Sequence, residues 1–141
     1  MIAAGLPPFS VATTMPGSMR WVMHGNLSPA VADALKRHEQ KPVPLSELGL
    51  GDGASAFELF KTAQTKQLDV FTADAALVNA IFDEKIYFNR VVVFLQLEGG
   101  DVEQDDAVDR LFERYKRLTP GRLYTVTGSR VKVRQLPAGR I

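Results

Sequence analysis

Trp21-Val22-Met23-His24-Gly25-Asn26-Leu27-Ser28-Pro29 carries a strand, a turn and a helix start in one short stretch. Trp21–Met23 is an apolar strand candidate. Ser28 can accept from the free backbone N–H groups at a helix start, and Pro29 suits the first turn, where its missing donor is not needed. Leu27, Val31, Ala34 and Leu35 then fall on one helical face. A strand that feeds directly into an amphipathic helix is the first half of a βαβ unit.

The pattern continues outward from there. Pro42–Leu45 is a brief extended piece, because Pro cannot continue a helix. Glu47–Gly53 is a glycine-rich loop, and a second helix is expected to start at Ser55. Leu68–Thr72 reads as a strand and Ala75–Phe82 as a short helix. Val91–Leu97 is the strongest strand signal, an apolar and β-branched run suited to burial on both faces. Gly99-Gly100 ends it. Asp101–Leu118 is expected to be the longest helix, with Val108, Leu111, Phe112 and Tyr115 as its apolar stripe. Acidic residues crowd its first turns and Arg114, Lys116 and Arg117 its last, which complements the helix dipole. His38 is expected to cap the end of the first helix. Leu123–Val126 and Val131–Leu136 read as a terminal hairpin. The sum is an α/β domain of three layers: a mostly parallel central sheet, helices on both faces and a C-terminal antiparallel hairpin.

Composition sets the outer bounds. The chain has 141 residues, 45% of them hydrophobic, enough for one domain with its own core. It has no cysteine, so thiolate catalysis, cysteine-based zinc sites and a disulfide scaffold are excluded. The formal net charge of +1 gives no global pull toward nucleic acid. No apolar run is long enough for a membrane span, and the expected location is cytoplasmic. Residues 1–18 hold no charge and three prolines. They lack the basic start and unbroken apolar run of a secretory signal. They read as a flexible or loosely docked arm, or as sequence upstream of a start at Met19, with residues 19–141 forming the single domain.

Several segments together resemble the PIN-like nuclease domains, in particular the small bacterial proteins of toxin–antitoxin settings. Asn26-Leu27-Ser28-Pro29 is similar to that family's Asn-Leu-Pro turn, and Ser46-Glu47-Leu48-Gly49-Leu50 to its loop after the second strand. Gly53-Ala54-Ser55 with Glu58-Leu59 is similar to its second helix start. Thr72-Ala73-Asp74 is similar to the strand end that delivers an acid to its active centre, and Arg134-Gln135-Leu136-Pro137 to its C-terminal part. The likeness runs from Arg20 to about Pro137.

The resemblance implies a divalent-metal-dependent endoribonuclease in which converging carboxylates hold Mg²⁺ or Mn²⁺, which activates a water. Carried over position by position, Asp74 and Glu58 are the metal ligands that remain. The family's first-strand acids are replaced by His24 and Gly25, and two further acid positions by Ala56 and Ala76. The acidic site is therefore degenerate.

Each residue also has a purely structural explanation. Ser55-x-x-Glu58 is a capping box. Asp74 can cap the helix from Ala75. His24 can fill the space a carboxylate left, replace a ligand, or act as a general acid or base near neutral pH. Asn26 can orient a water or make a local turn bond. Gly49-x-Gly51-x-Gly53 lacks the phosphate-loop pattern and reads as a turn. In the tail, Arg130, Lys132 and Arg134 alternate onto one strand face, as an RNA-backbone stripe or as a charged edge.

Two functions follow. One is a toxin-type ribonuclease with a degraded site, in which Asp74, Glu58 and His24 act with Mg²⁺ or Mn²⁺, or with no metal retained. The other is a catalytically inactive PIN-like module that binds RNA or a partner protein. An antitoxin or another protein partner and a homodimer are implied by the resemblance alone.

Overall fold

The computed structural model describes residues 19–25, 27–50, 54–97, 100–115 and 117–137. The arm expected over residues 1–18, Asn26, the Gly51–Gly53 part of the glycine-rich loop and Gly99 lie outside the described residues.

The elements in chain order are β1 (Arg20–His24), α1 (Pro29–Arg37), β2 (Lys41–Pro44), a 3-10 turn (Leu45–Leu48), α2 (Ala56–Thr65), β3 (Asp69–Thr72), α3 (Ala75–Asp83), β4 (Val92–Leu95), α4 (Asp101–Arg114), β5 (Arg122–Val126) and β6 (Val131–Gln135). The sheet order is β2-β1-β3-β4-β5-β6. All pairs are parallel except the last, where β6 folds back antiparallel on β5. This is the α/β architecture expected from the sequence.

Strand alternation divides the core in two. Val22, Val70, Val92 and Leu123 face one way, packed with Leu59, Phe60 and Ala63 of α2 and Leu77, Val78 and Ile81 of α3. Trp21, Phe71, Val93 and Tyr124 face the other way, packed with Val31, Ala34 and Leu35 of α1 and Val108, Leu111 and Phe112 of α4. Trp21 is fully buried. Its indole N–H donates to Gln40 Oε1 at 2.9 Å, so the one polar atom of the ring is satisfied.

The helix starts follow the local chemistry. Ser28 caps α1 with Pro29 in the first turn. Ser55 and Glu58 form a reciprocal capping box on α2, and Asp74 caps α3. The end of α4 differs from expectation. The helix stops at Arg114, because Tyr115 turns extended and its ring packs edge-on against Tyr124 at 5.3 Å. Leu118 is then buried outside the helix, and Thr119 N–H donates to Tyr124 Oη at 2.8 Å. Tertiary burial outweighs the helical periodicity there. Leu45, expected to be extended, instead begins the 3-10 turn.

β1 hands the chain to β2 on one side, and β3 then returns to the other side of β1. The chain therefore diverges at the carboxyl ends of β1 and β3. In open α/β sheets this switch point is where a ligand crevice forms.

Candidate functional site

β1 ends at His24 and β3 ends at Thr72, and the two are register partners. By alternation both follow Val22 and Val70 onto the α2/α3 face. His24 Nδ1 lies 2.9 Å from Thr72 Oγ1, and Thr72 is fully buried. The same hydroxyl oxygen accepts from the Asp74 backbone N–H at 2.9 Å. A hydroxyl has one proton and two lone pairs, so Thr72 can accept from Asp74 and still donate to a neutral imidazole. Burial pushes the His24 pKa below its ordinary value, and the Asp74 carboxylate only partly opposes this. Burial thus disfavours the charged ring.

Asp74 is the N-cap of α3, with Oδ1 accepting from Ala76 N–H at 2.9 Å. Gly25 lies against the main chain of Ala73 and Asp74. Its φ is +82°, and a Cβ there would lie 3.3 Å from Asp74 N and 3.4 Å from Ala73 N. The resembled family's acid at this position therefore meets both a left-handed backbone and the Asp74 main chain.

Glu58 is exposed on α2. Its Oε1 accepts from Ser55 N–H and its own N–H donates to Ser55 Oγ, both at 3.1 Å. It lines an outer groove with Leu50, Phe57 and Lys61. Among the described residues no group of three or more His, Asp or Glu side chains is arranged to hold a metal ion. The structure brings His24 and Asp74 together, but Glu58 does not complete a ligand set with them. Each cap takes one carboxylate oxygen, Oδ1 of Asp74 and Oε1 of Glu58, and among the described residues the several oxygens that Mg²⁺ or Mn²⁺ wants are not gathered at one point, so the implied ion does not fit this set.

The basic tail divides between two faces. Arg134 places its guanidinium 3.7 Å from the Phe82 ring centroid, at the end of α3. Arg130 precedes β6 and lines a cleft against α4, on the other face of the sheet. Lys132 is exposed between them.

The acidic helix is likewise more specific than its composition. Arg37 of α1 pairs with both Asp105 and Asp109, and His38 Nε2 lies 2.7 Å from Asp109. The His38 ring stacks on Phe112 at 5.2 Å, while its backbone N–H caps α1. Ser28 Oγ donates to Asp101 at 2.6 Å.

The sequence names Asp74 and His24 as candidates and marks Thr72 only as part of the motif. The signal was present: a hydroxyl two residues before a helix-capping Asp can bond its backbone N–H. Gly25 stands where the resembled family has an acid, and Gly at a strand end also signals a positive φ. No family model matches the chain, and no curated protein and no solved structure matches it either.

Proposed function

We propose that this protein is a PIN-like domain without metal-dependent cleavage, and that it binds RNA along the carboxyl edge of the sheet and the adjoining hairpin. The observation that carries this reading is the employment of both remaining carboxylates as helix caps, beside a half-buried histidine bonded to Thr72. His24, Thr72 and the Asp74 backbone are joined in one hydrogen-bond chain where the resembled family's chemistry would need free acids.

The RNA part rests on charge placement. The Thr127–Arg130 turn follows the carboxyl end of β5, on the same edge as His24 and Asp74. Asp101, Asp105 and Asp109 point to Ser28, Arg37 and His38 on α1, so those acids do not neutralise the hairpin. Arg130 and Lys132 remain exposed.

Calorimetry with Mn²⁺ and Mg²⁺ on the wild type and on Asp74→Ala tests the first part. No saturable binding at millimolar metal is expected in either protein. Saturable binding that Asp74→Ala abolishes would restore the ribonuclease reading. Fluorescence anisotropy with a labelled oligouridine tests the second part. Binding that weakens steeply from about 50 to about 200 mM salt is expected. No binding at the lower salt would favour a protein partner over RNA.

A further inference from the structure

The cleft between α4 and the hairpin turn is a second, separate concavity of about 510 Å³. Arg110, Arg114 and Arg130 line it, together with Glu113 and Ser129. Among the described residues none of the three guanidiniums is ion-paired to a carboxylate. Within the lining three positive charges face one negative charge, and the Glu103 carboxylate of α4 approaches the same turn, with its Oε2 3.8 Å from where a Cβ on Gly128 would lie.

The side chains of Arg110 and Arg114 have protein partners, while Arg130 is held at its backbone alone. Arg110 Nη2 donates to Thr127 C=O at 2.6 Å, which fixes one end of its fork. Its Nε is buried and has no acceptor. Arg114 lies over the Tyr115 ring at 5.6 Å, and its Nε is 3.4 Å from Tyr115 Oη. Arg130 is fixed at the backbone: its N–H donates to Thr127 Oγ1 at 3.2 Å, and its C=O accepts from Thr127 N–H at 2.9 Å. Ser129 adds a hydroxyl at the same turn.

A planar fork with donors to spare matches the paired oxygens of phosphate. Guanidiniums without a counter-ion keep their charge free for a ligand, and for Arg110 the immobilisation cost is already partly met in the fold. A buried Nε without an acceptor is the kind of orphaned donor that a bound oxyanion relieves, directly or by letting the fork turn.

We propose that this cleft is a phosphate-ester site, with Arg110, Arg114 and Arg130 as its donors. The phosphate is either a backbone phosphodiester of an RNA strand or the terminal phosphate of a free nucleotide. The site shares Arg130 with the RNA reading and rests on that reading for its RNA source, while Arg110 and Arg114 of α4 belong to the cleft alone and carry the free-nucleotide source if RNA binding fails. Glu113 sets a polarity: a ligand with a hydroxyl beside its phosphate is favoured over bare phosphate, because the carboxylate can accept from that hydroxyl.

The test compares wild type with the Arg114→Gln, Arg130→Gln double variant. Both side chains are exposed, so the fold is expected to persist, and circular dichroism checks this. Uridine monophosphate is titrated by calorimetry and labelled oligouridine by anisotropy across a salt series. Nucleotide binding that the variant loses at least tenfold supports the site with a free nucleotide as source. Oligouridine binding whose log–log salt slope falls by about 1.4, for two lost phosphate contacts on a single strand, supports it with RNA as source. Oligouridine binding with an unchanged slope in the variant overturns the cleft while leaving RNA binding intact. Failure of wild type to bind either probe overturns it as well.

Discussion

Gly25 shows how one residue can close a route back to chemistry. The resembled family places an acid here, and restoring it is the obvious repair. Yet the backbone has φ +82°, and a Cβ would press on the main chain of Ala73 and Asp74. A left-handed conformation costs a side chain about 1–2 kcal/mol before any clash. Gly25→Glu is therefore expected to lower stability by about 1–3 kcal/mol in urea denaturation and to add no Mn²⁺ binding by calorimetry. Saturable metal binding in that variant would mean that the edge can open enough to assemble a carboxylate set. The same residue scale explains why His24 was ambiguous in the sequence. Its role depends on Thr72, which is 48 positions away and meets it only through strand register.

At the element scale the helix starts were the most legible features. Ser28-Pro29, the Ser55/Glu58 box and Asp74 before Ala75 all cap as local chemistry predicts. Caps are decided within four residues, so sequence carries them well. Glu58 gives a direct test of cap against ligand. If it is a cap, Glu58→Gln keeps an acceptor for Ser55 N–H and changes stability little, while Glu58→Ala costs about 0.5–1 kcal/mol. Thermal denaturation of the two variants checks this, and equal losses would argue that charge, not capping, is what the site needs. The end of α4 was not legible, because Tyr115 and Leu118 leave the helix for contacts near Tyr124. The basic stripe failed as a single face for a similar reason: Arg134 is drawn to Phe82, while Arg130 sits in the turn against α4. Alternation places residues on a strand, but it does not say where the strand begins.

At the scale of the whole molecule, sheet order does what no single segment can. It carries β3 past β1 and so sets Thr72-Ala73-Asp74 against His24 at the switch point. It also buries Asp69 at the opposite edge, where Oδ1 accepts from Val91 N–H at 2.9 Å and Arg90 approaches at 3.4 Å. Nothing in the sequence distinguished that aspartate from a surface one. Among the described residues no helix is long and apolar enough to cross a membrane.

The fold-wide charge pattern leads to a pH prediction in which three groups separate by sign. Burial raises the Asp69 pKa above 3.8, against the pull of the Val91 N–H and Arg90. Its contribution is present below that ordinary value and lost as pH rises through the folded value. Burial also pushes Asp109 upward, but His38 and Arg37 together bring it below 3.8. Its contribution is present above 3.8 and lost as pH falls through the folded value. Asp109 therefore acts below 3.8, and Asp69 acts between 3.8 and its raised folded value with the opposite sign. His24 acts nearer neutrality, because its folded pKa lies below 6.5, again through burial. The unfolded chain binds that proton more readily than the folded one. Stability is then full above 6.5 and declines as pH falls from there toward the folded value. Urea midpoints of the wild type are expected to drop from about pH 7.5 to about pH 5.5, with a shallower drop for His24→Gln. Parallel slopes in the two proteins would show that His24 accepts its proton as freely in the fold as outside it, and the burial of its ring against Thr72 would not be what governs its charge.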